Sequence, residues 1–221
     1  RLSRALDWRI TGELYAIEGE FVAGLQRATP DVLLEPFSVA YMLGFAVLLV
    51  AGPTMYLLTE ATGQRRLKEL LVAYMLNYAV GTVCYTLFIG YGPRRFLDSV
   101  DGLMYQFYPE TQELTAAVAS NTNVFPSLHT SLSVAAFAVA WRSRRTLPRW
   151  TVVSAALAAG VVYSTMYLGI HWATDVVAGA ALGVASVAAA TRIVDRAETS
   201  SVVTDADTID GATPEGRSGD D

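Results

Sequence analysis

Long apolar runs separated by short charged segments dominate the middle of the chain. Five runs, at about 37–59, 70–91, 125–141, 150–169 and 172–192, contain almost no charged side chain. A helix needs about 20 mostly apolar residues to cross the hydrocarbon layer of a membrane. The pattern therefore predicts an all-α, polytopic transmembrane helix bundle with five visible spans. The third span is predicted to be short, because residues 120–123 are polar.

The segment before the first span is amphipathic. Five apolar residues fall on one helical face: Ile10, Leu14, Ile17, Phe21 and Leu25. Three acidic residues lie elsewhere: Glu13, Glu18 and Glu20. We expect segment 1–36 to lie on the outer membrane surface. A cap packed on the outer end of the bundle would explain the same pattern equally well.

Composition narrows the class of protein. The chain is 52% hydrophobic and 17% charged, whereas a soluble domain is about 25% charged. This excludes a disordered chain, a nucleic-acid-binding protein and an ordinary soluble enzyme. Acidity is concentrated in residues 195–221, which hold eight acidic and two basic side chains of a chain with net charge −5. This segment has no aromatic residue, so we expect a disordered acidic tail.

Basic residues predict how the bundle is oriented. They cluster after the first predicted span (Arg65, Arg66, Lys68), after the third (Arg142, Arg144, Arg145, Arg149) and after the fifth (Arg192, Arg196). Basic loops remain on the cytoplasmic side. We therefore expect a bundle over 37–194 in the cell membrane, with a cytoplasmic tail and with loops 92–124 and 169–171 facing outward. Arg94 and Arg95 lie on the outer side, against this bias.

The two histidines of the chain fall at the outer ends of predicted spans. They are His129 and His171, and Asp175 follows His171 by one helical turn. A carboxylate that accepts a hydrogen bond from one imidazole nitrogen fixes the tautomer and leaves the other nitrogen free to attack. A purely structural His–Asp pair explains this spacing equally well.

Anion-binding features accompany the histidines. A helix beginning near Ser127, with Asn123 as its cap, would present free N–H groups to an anion. Arg94 and Arg95 follow a Gly-Pro turn and suit phosphate oxygens, although interfacial arginines often only reach toward lipid headgroups. The combination favours phosphoryl transfer. No metal site or cofactor is predicted, because two histidines without a cysteine cluster are weak evidence for zinc.

The motifs resemble those of the type 2 phosphatidic acid phosphatase superfamily of membrane lipid phosphatases. Residues 126–129 read Pro-Ser-Leu-His where the family has P-S-G-H, and 164–175 read Ser-Thr-x5-His-x3-Asp where it has S-R-x5-H-x3-D. The leucine and the threonine, together with Gly-Pro-Arg-Arg at 92–95, are similar to the branch that includes inositol phosphorylceramide synthases. Because the family core has six spans, the resemblance implies one span beyond the five visible.

The resemblance also implies a role for each site residue. His171 would be the nucleophile, Asp175 its orienting partner and His129 the general acid. Phosphate oxygens would be held by the remaining site residues: Ser127, Ser164, Thr165 and either Arg94 or Arg95. Two cations of the family pattern are missing, because Leu87 and Phe88 stand where the first-motif lysine is expected and Thr165 replaces the third-motif arginine.

These observations predict an integral-membrane phosphohydrolase that removes phosphate from a lipid phosphate or diphosphate through a phospho-histidine, at the outer face. Its partners would be the lipid substrate and the membrane, without nucleic acid. One alternative is a phosphotransferase that passes a phosphoryl headgroup to an alcohol, as in the synthase-like branch. A second is a non-catalytic lipid binder or transporter.

Overall fold

Helices make up most of the structure. The computed structural model describes residues 8–59, 61–104 and 122–210. Within these ranges the strands are β1 (Trp8–Arg9) and β2 (Phe88–Ile89), which pair in parallel with Trp8 opposite Phe88. The predicted all-α class is confirmed.

The helices follow one another with short connections. Two short helices, α1 (Thr11–Glu18) and α2 (Phe21–Ala28), precede a long helical segment. That segment consists of a 3-10 turn (Asp31–Leu33), α3 (Leu34–Val39), a π-helical turn (Ala40–Gly44) and α4 (Phe45–Leu57). The remaining helices are α5 (Ala61–Leu87), α6 (Pro93–Phe96), α7 (Leu128–Arg142), α8 (Pro148–Tyr167) and α9 (Ala173–Asp210).

Four helical segments are long and apolar enough to cross a membrane. They are Asp31–Leu57, Gly63–Leu87, Pro148–Tyr167 and Ala173–Ser200, and they correspond to the first, second, fourth and fifth predicted spans. Helix α7 occupies the third run. Its 15 residues extend only about 22 Å, which is less than the hydrocarbon thickness of a bilayer. The sixth span implied by the resemblance is not among the described residues.

Helix α7 lies at the centre of the bundle, packed against α5, α8 and α9. Small side chains allow this close packing: Ala135, Ala136 and Ala140 are at most 1% exposed. On α9, a Cβ atom at Gly179 or Gly183 would lie 2.4 Å from the carbonyl oxygen of Ser127 or Ser131, respectively. The Gly179-x3-Gly183 pattern therefore brings α9 into direct backbone contact with α7, as small-x3-small motifs do.

An ion cluster joins the helices at the end far from the histidines. The fully buried Glu69 accepts hydrogen bonds from Arg66 Nη1 at 2.5 Å, Arg65 Nε at 3.2 Å and Arg142 Nε at 3.3 Å. Because Glu69 and Arg142 belong to different helices, the cluster ties α5 to α7.

The beginning of the predicted disordered tail is helical. Helix α9 continues without a break to Asp210, so the prediction of disorder is corrected for 195–210. The cause is pairing with α5: Arg65 forms ion pairs with Asp195 and with Glu198, and Lys68 Nζ lies 3.7 Å from Glu198 Oε1. Residues 211–221 lie outside the described ranges, and the cytoplasmic location of the tail stays a prediction.

The N-terminal segment packs on the end of the bundle that carries the histidines. The single amphipathic helix expected from the sequence is divided at Gly19, whose φ of 56° ends α1. Leu14 and Val22 are buried, whereas Ile17 is 72% and Phe21 51% exposed. The predicted apolar face is therefore split, with one part on the bundle and another part facing away from it. Placement on the membrane surface stays a prediction.

Candidate active site

Two turns that are distant in sequence lock together at the histidine-bearing end. A Cβ atom at Gly92 would lie 2.2 Å from the carbonyl oxygen of Ile170, so only glycine permits this approach. The backbone N–H of Arg94 donates to Gly169 O at 3.1 Å, and Gly169 has a left-handed φ of 68°. These contacts place Arg94 beside the turn that leads into His171. The Arg94 side chain is half-buried, whereas that of Arg95 is exposed.

His171 and Asp175 form a buried pair. Their relative exposures are 4% and 0%, and His171 Nδ1 lies 3.4 Å from Asp175 Oδ2. Asp175 Oδ2 also accepts a hydrogen bond from the Trp172 backbone N–H at 2.9 Å, and the His171 backbone N–H donates to Thr165 O at 3.0 Å. The separation of 3.4 Å is longer than a typical hydrogen bond. Such contacts are often long in unliganded sites and shorten when substrate binds.

The ring of His129 faces this pair from the first turn of α7. Its centroid lies 6.4 Å from that of His171, 4.5 Å from the stacked ring of Tyr41 and 4.3 Å from Phe45. Tyr41 belongs to the π-helical turn, a local irregularity that is frequent at functional sites. Sequence reasoning missed Tyr41 and Phe45, since they lie in an apolar run with no motif to mark them.

Ser127 connects the two histidine-bearing helices. Its Oγ accepts a hydrogen bond from the Thr130 N–H at 3.3 Å, and its own N–H donates to Asp175 O at 3.1 Å. The N-cap of α7 is thus Ser127, not Asn123 as the sequence suggested. The reason is that α7 begins at Leu128, after Pro126, which leaves Ser127 in the capping position.

The other two predicted hydroxyl ligands donate within their own helix. Ser164 Oγ donates to Val161 O and Thr165 Oγ1 donates to Val162 O, both at 2.8 Å. Both residues are fully buried close to His171, since Thr165 O accepts its N–H. Each hydroxyl would have to rotate away from α8 before it could donate to a phosphate oxygen.

Glu18 is a further residue at this end that sequence reasoning did not select. Its carboxylate accepts hydrogen bonds from the backbone N–H groups of Ala173 at 3.1 Å and Thr174 at 2.9 Å, and from the Thr174 hydroxyl at 2.9 Å. No sequence motif joins Glu18 to residues that follow it by more than 150 positions. Within residues 8–59, 61–104 and 122–210, no three His, Cys, Asp or Glu side chains form a group that could hold a metal ion.

Comparisons with known proteins agree with this architecture. Residues 17–189 match the family model of the PAP2 superfamily. An uncharacterized protein of Methanocaldococcus jannaschii is 27% identical over 165 residues, which are 74% of this chain and 63% of the archaeal protein. The chain thus spans slightly less than two thirds of that relative. The crystal structure of Aquifex aeolicus LpxE has the same fold, with a TM-score of 0.63 at 20% identity, covering 80% of this chain and 95% of that chain.

Proposed function

This chain belongs to the PAP2 superfamily, and we propose that it is an integral-membrane enzyme that removes phosphate from a lipid phosphate or diphosphate. The observation that carries the proposal is the buried His171–Asp175 pair, with His129 at 6.4 Å between ring centroids and Arg94 in the adjoining turn. A paired nucleophile, a second imidazole and a cation are what a two-step phosphoryl transfer requires.

In the first step, His171 attacks phosphorus. Asp175 accepts the Nδ1 proton of His171 in a hydrogen bond, which leaves the Nε2 lone pair for the attack. A bond forms between Nε2 and phosphorus while the bond from phosphorus to the lipid oxygen breaks. His129 donates a proton to that oxygen, and the lipid leaves as an alcohol or, from a diphosphate, as a monophosphate.

In the second step, water releases the phosphate. His129, now lacking its proton, takes one from a water molecule as the water oxygen attacks phosphorus. The bond between phosphorus and Nε2 breaks, inorganic phosphate forms and both histidines return to their starting states. Arg94 and the N-terminus of α7 favour the negative charge that develops on the phosphoryl oxygens.

We place this site on the outer side of the membrane. The ion cluster of Glu69 with Arg65, Arg66 and Arg142 lies at the other end of the bundle from the histidines. Basic residues at that end favour a cytoplasmic location for it, so the histidines would face outward.

The test is phosphate release by the detergent-purified protein. Phosphatidic acid, polyprenyl phosphate and polyprenyl diphosphate would be compared, with His171→Ala as the inactive reference and its melting temperature as the control for folding. Release that His171→Ala abolishes is the expected result. With substrate carrying ³²P in the phosphate, acid-labile and alkali-stable label on the wild type, absent from His171→Ala, would identify the phospho-histidine.

The same assay separates the remaining functions. If the phosphoryl headgroup is transferred only when an alcohol acceptor is present, the protein is a phosphotransferase. If the lipid binds equally to wild type and to His171→Ala without turnover or label, the protein is a lipid binder or transporter, and the proposal is wrong.

A further inference from the structure

The helix that carries Asp175 lacks a capping side chain of its own. Helix α9 begins at Ala173, so Trp172 occupies the N-cap position. N-caps are normally Ser, Thr, Asp or Asn, whose oxygens accept the free N–H groups of the first turn. An indole can only donate, and Trp172 Nε1 already donates to Tyr91 O at 2.8 Å.

Glu18 supplies the missing acceptor from another part of the chain. Its Oε1 accepts from the Ala173 N–H, and its Oε2 accepts from both the N–H and the hydroxyl of Thr174. A carboxylate that engages a helix N-terminus through both oxygens is stabilised by charge-assisted hydrogen bonds and by the helix dipole.

This arrangement leaves Asp175 available to His171. Asp175 is the third residue of α9, and its Oδ2 reaches back to the Trp172 N–H at 2.9 Å, as the acidic residue of a capping box does. The same Oδ2 lies 3.4 Å from His171 Nδ1. Without Glu18, the Ala173 and Thr174 N–H groups would have Asp175 as the nearest carboxylate, and that carboxylate would be drawn away from His171.

Helix α1, which carries Glu18, is itself fixed to the segment that carries Arg94. The Thr11 hydroxyl accepts a hydrogen bond from the Tyr91 N–H at 3.0 Å, and the Ile10 N–H donates to Ile89 O at 3.1 Å. Glu18 is therefore held from two directions, which makes it a fixed support for the first turn of α9.

We propose that Glu18 is a positioning residue for the reaction, which caps α9 and thereby holds Asp175 in the arrangement that orients His171. This inference rests on the proposed function. It assigns a role in turnover to the N-terminal segment, 155 residues before the helix that it caps.

The test compares Glu18→Gln with Glu13→Gln. Both changes remove one negative charge from α1, but Glu13 is exposed and takes no part in this arrangement. Because a glutamine side chain would turn an N–H group toward one of the helix N–H groups, we expect Glu18→Gln to lower kcat by about 10- to 100-fold with KM nearly unchanged. Glu13→Gln should behave like the wild type. Thr174→Val, which removes only the hydroxyl donor, should lower kcat by less than Glu18→Gln does.

A double variant distinguishes positioning from general destabilisation. If Glu18 acts through Asp175, then Glu18→Gln combined with Asp175→Asn should be no slower than Asp175→Asn alone. Multiplicative losses in kcat would overturn the proposal. So would a kcat for Glu18→Gln equal to that of Glu13→Gln, or a higher one, which would mean that Glu18 blocks the site.

Hydrogen exchange of the peptide that covers 168–180 gives a readout independent of activity. Faster exchange in Glu18→Gln but not in Glu13→Gln is expected, and equal exchange would overturn the capping role. A wild type that releases no phosphate from any lipid would overturn the proposed function and the role in turnover together. An active wild type with an unaffected Glu18→Gln would overturn only the inference about Glu18.

Discussion

Gly179 of α9 faces the backbone at the start of α7, and replacing it by alanine should slow the reaction about 100-fold. The new Cβ would lie 2.4 Å from Ser127 O and 3.2 Å from Thr130 Cβ, whereas ordinary contacts begin at 3.4 Å. Backbone atoms cannot rotate away as a side chain can. The two helices would therefore have to separate by about 1 Å, since a packed interior has no room to absorb the added atom.

The magnitude follows from what this contact positions. Ser127 donates its N–H to Asp175 O at 3.1 Å, and His129 begins its approach to His171 two residues later. A displacement of about 1 Å in a reacting geometry can cost about 100-fold in rate. The overpacking itself should lower the free energy of unfolding by about 1–3 kcal/mol.

The assay is kcat for phosphate release, with the melting temperature in the same detergent. Gly183→Ala is a matched variant one turn further from the histidines, where the clash with Ser131 O is also 2.4 Å. It should lose similar stability but less rate. Gly160→Ala is the control, because its Cβ would meet only Ala40 Cβ at 3.5 Å and alanine favours helix by about 1 kcal/mol.

An unchanged kcat in Gly179→Ala would refute this reasoning. Equal losses of rate in Gly179→Ala and Gly183→Ala would also contradict it, since the effect would then follow stability and not the distance between the histidines.

Three other changes test separate parts of the structure. Asp175→Asn should lower kcat by about 1,000- to 10,000-fold with KM little changed, because an amide favours the wrong imidazole tautomer; a fall in KM-controlled binding alone would contradict the orienting role. Arg94→Lys should lower kcat/KM by about tenfold or more, and the exposed Arg95→Lys by less than about twofold; equal effects would count against Arg94 as the phosphate ligand. Glu69→Gln should lower the free energy of unfolding by about 2 kcal/mol, measured by thermal melting, because charge-assisted hydrogen bonds to three arginines weaken, and it should leave KM unchanged.

Periodicity and spacing were sufficient to predict the helices and the pairing of His171 with Asp175. Apolar runs mark helices wherever a membrane must be crossed, and a separation of four residues places two side chains on one helical face. Local signals failed where a distant partner decides the outcome. Residues 195–210 look disordered by composition, yet α5 holds the first turns of that segment through Arg65.

The same limit explains the residues around the site that the sequence did not reveal. Tyr41 and Phe45 pack on His129 from a helix that precedes it by more than 80 positions, and their apolar run has the same composition as any other span. Glu18 had no signal beyond its charge, because its partners are backbone N–H groups. Backbone donors leave no trace in a sequence, so only the packing of α1 against α9 could reveal the pairing.

The replacement of the family's third-motif arginine by Thr165 changes how charge is supplied to the phosphate. The Thr165 carbonyl accepts the N–H groups of Ile170 and His171, and its hydroxyl donates to Val162 O. Thr165 thus shapes the turn before His171 but contributes no positive charge. Of the two arginines in the neighbouring segment, the half-buried one, Arg94, has its backbone fixed to Gly169 O in this same turn. We therefore expect transition-state charge stabilisation to depend more heavily on Arg94 than in a site with three cations, and Arg94→Ala to be slower than Arg94→Lys in kcat.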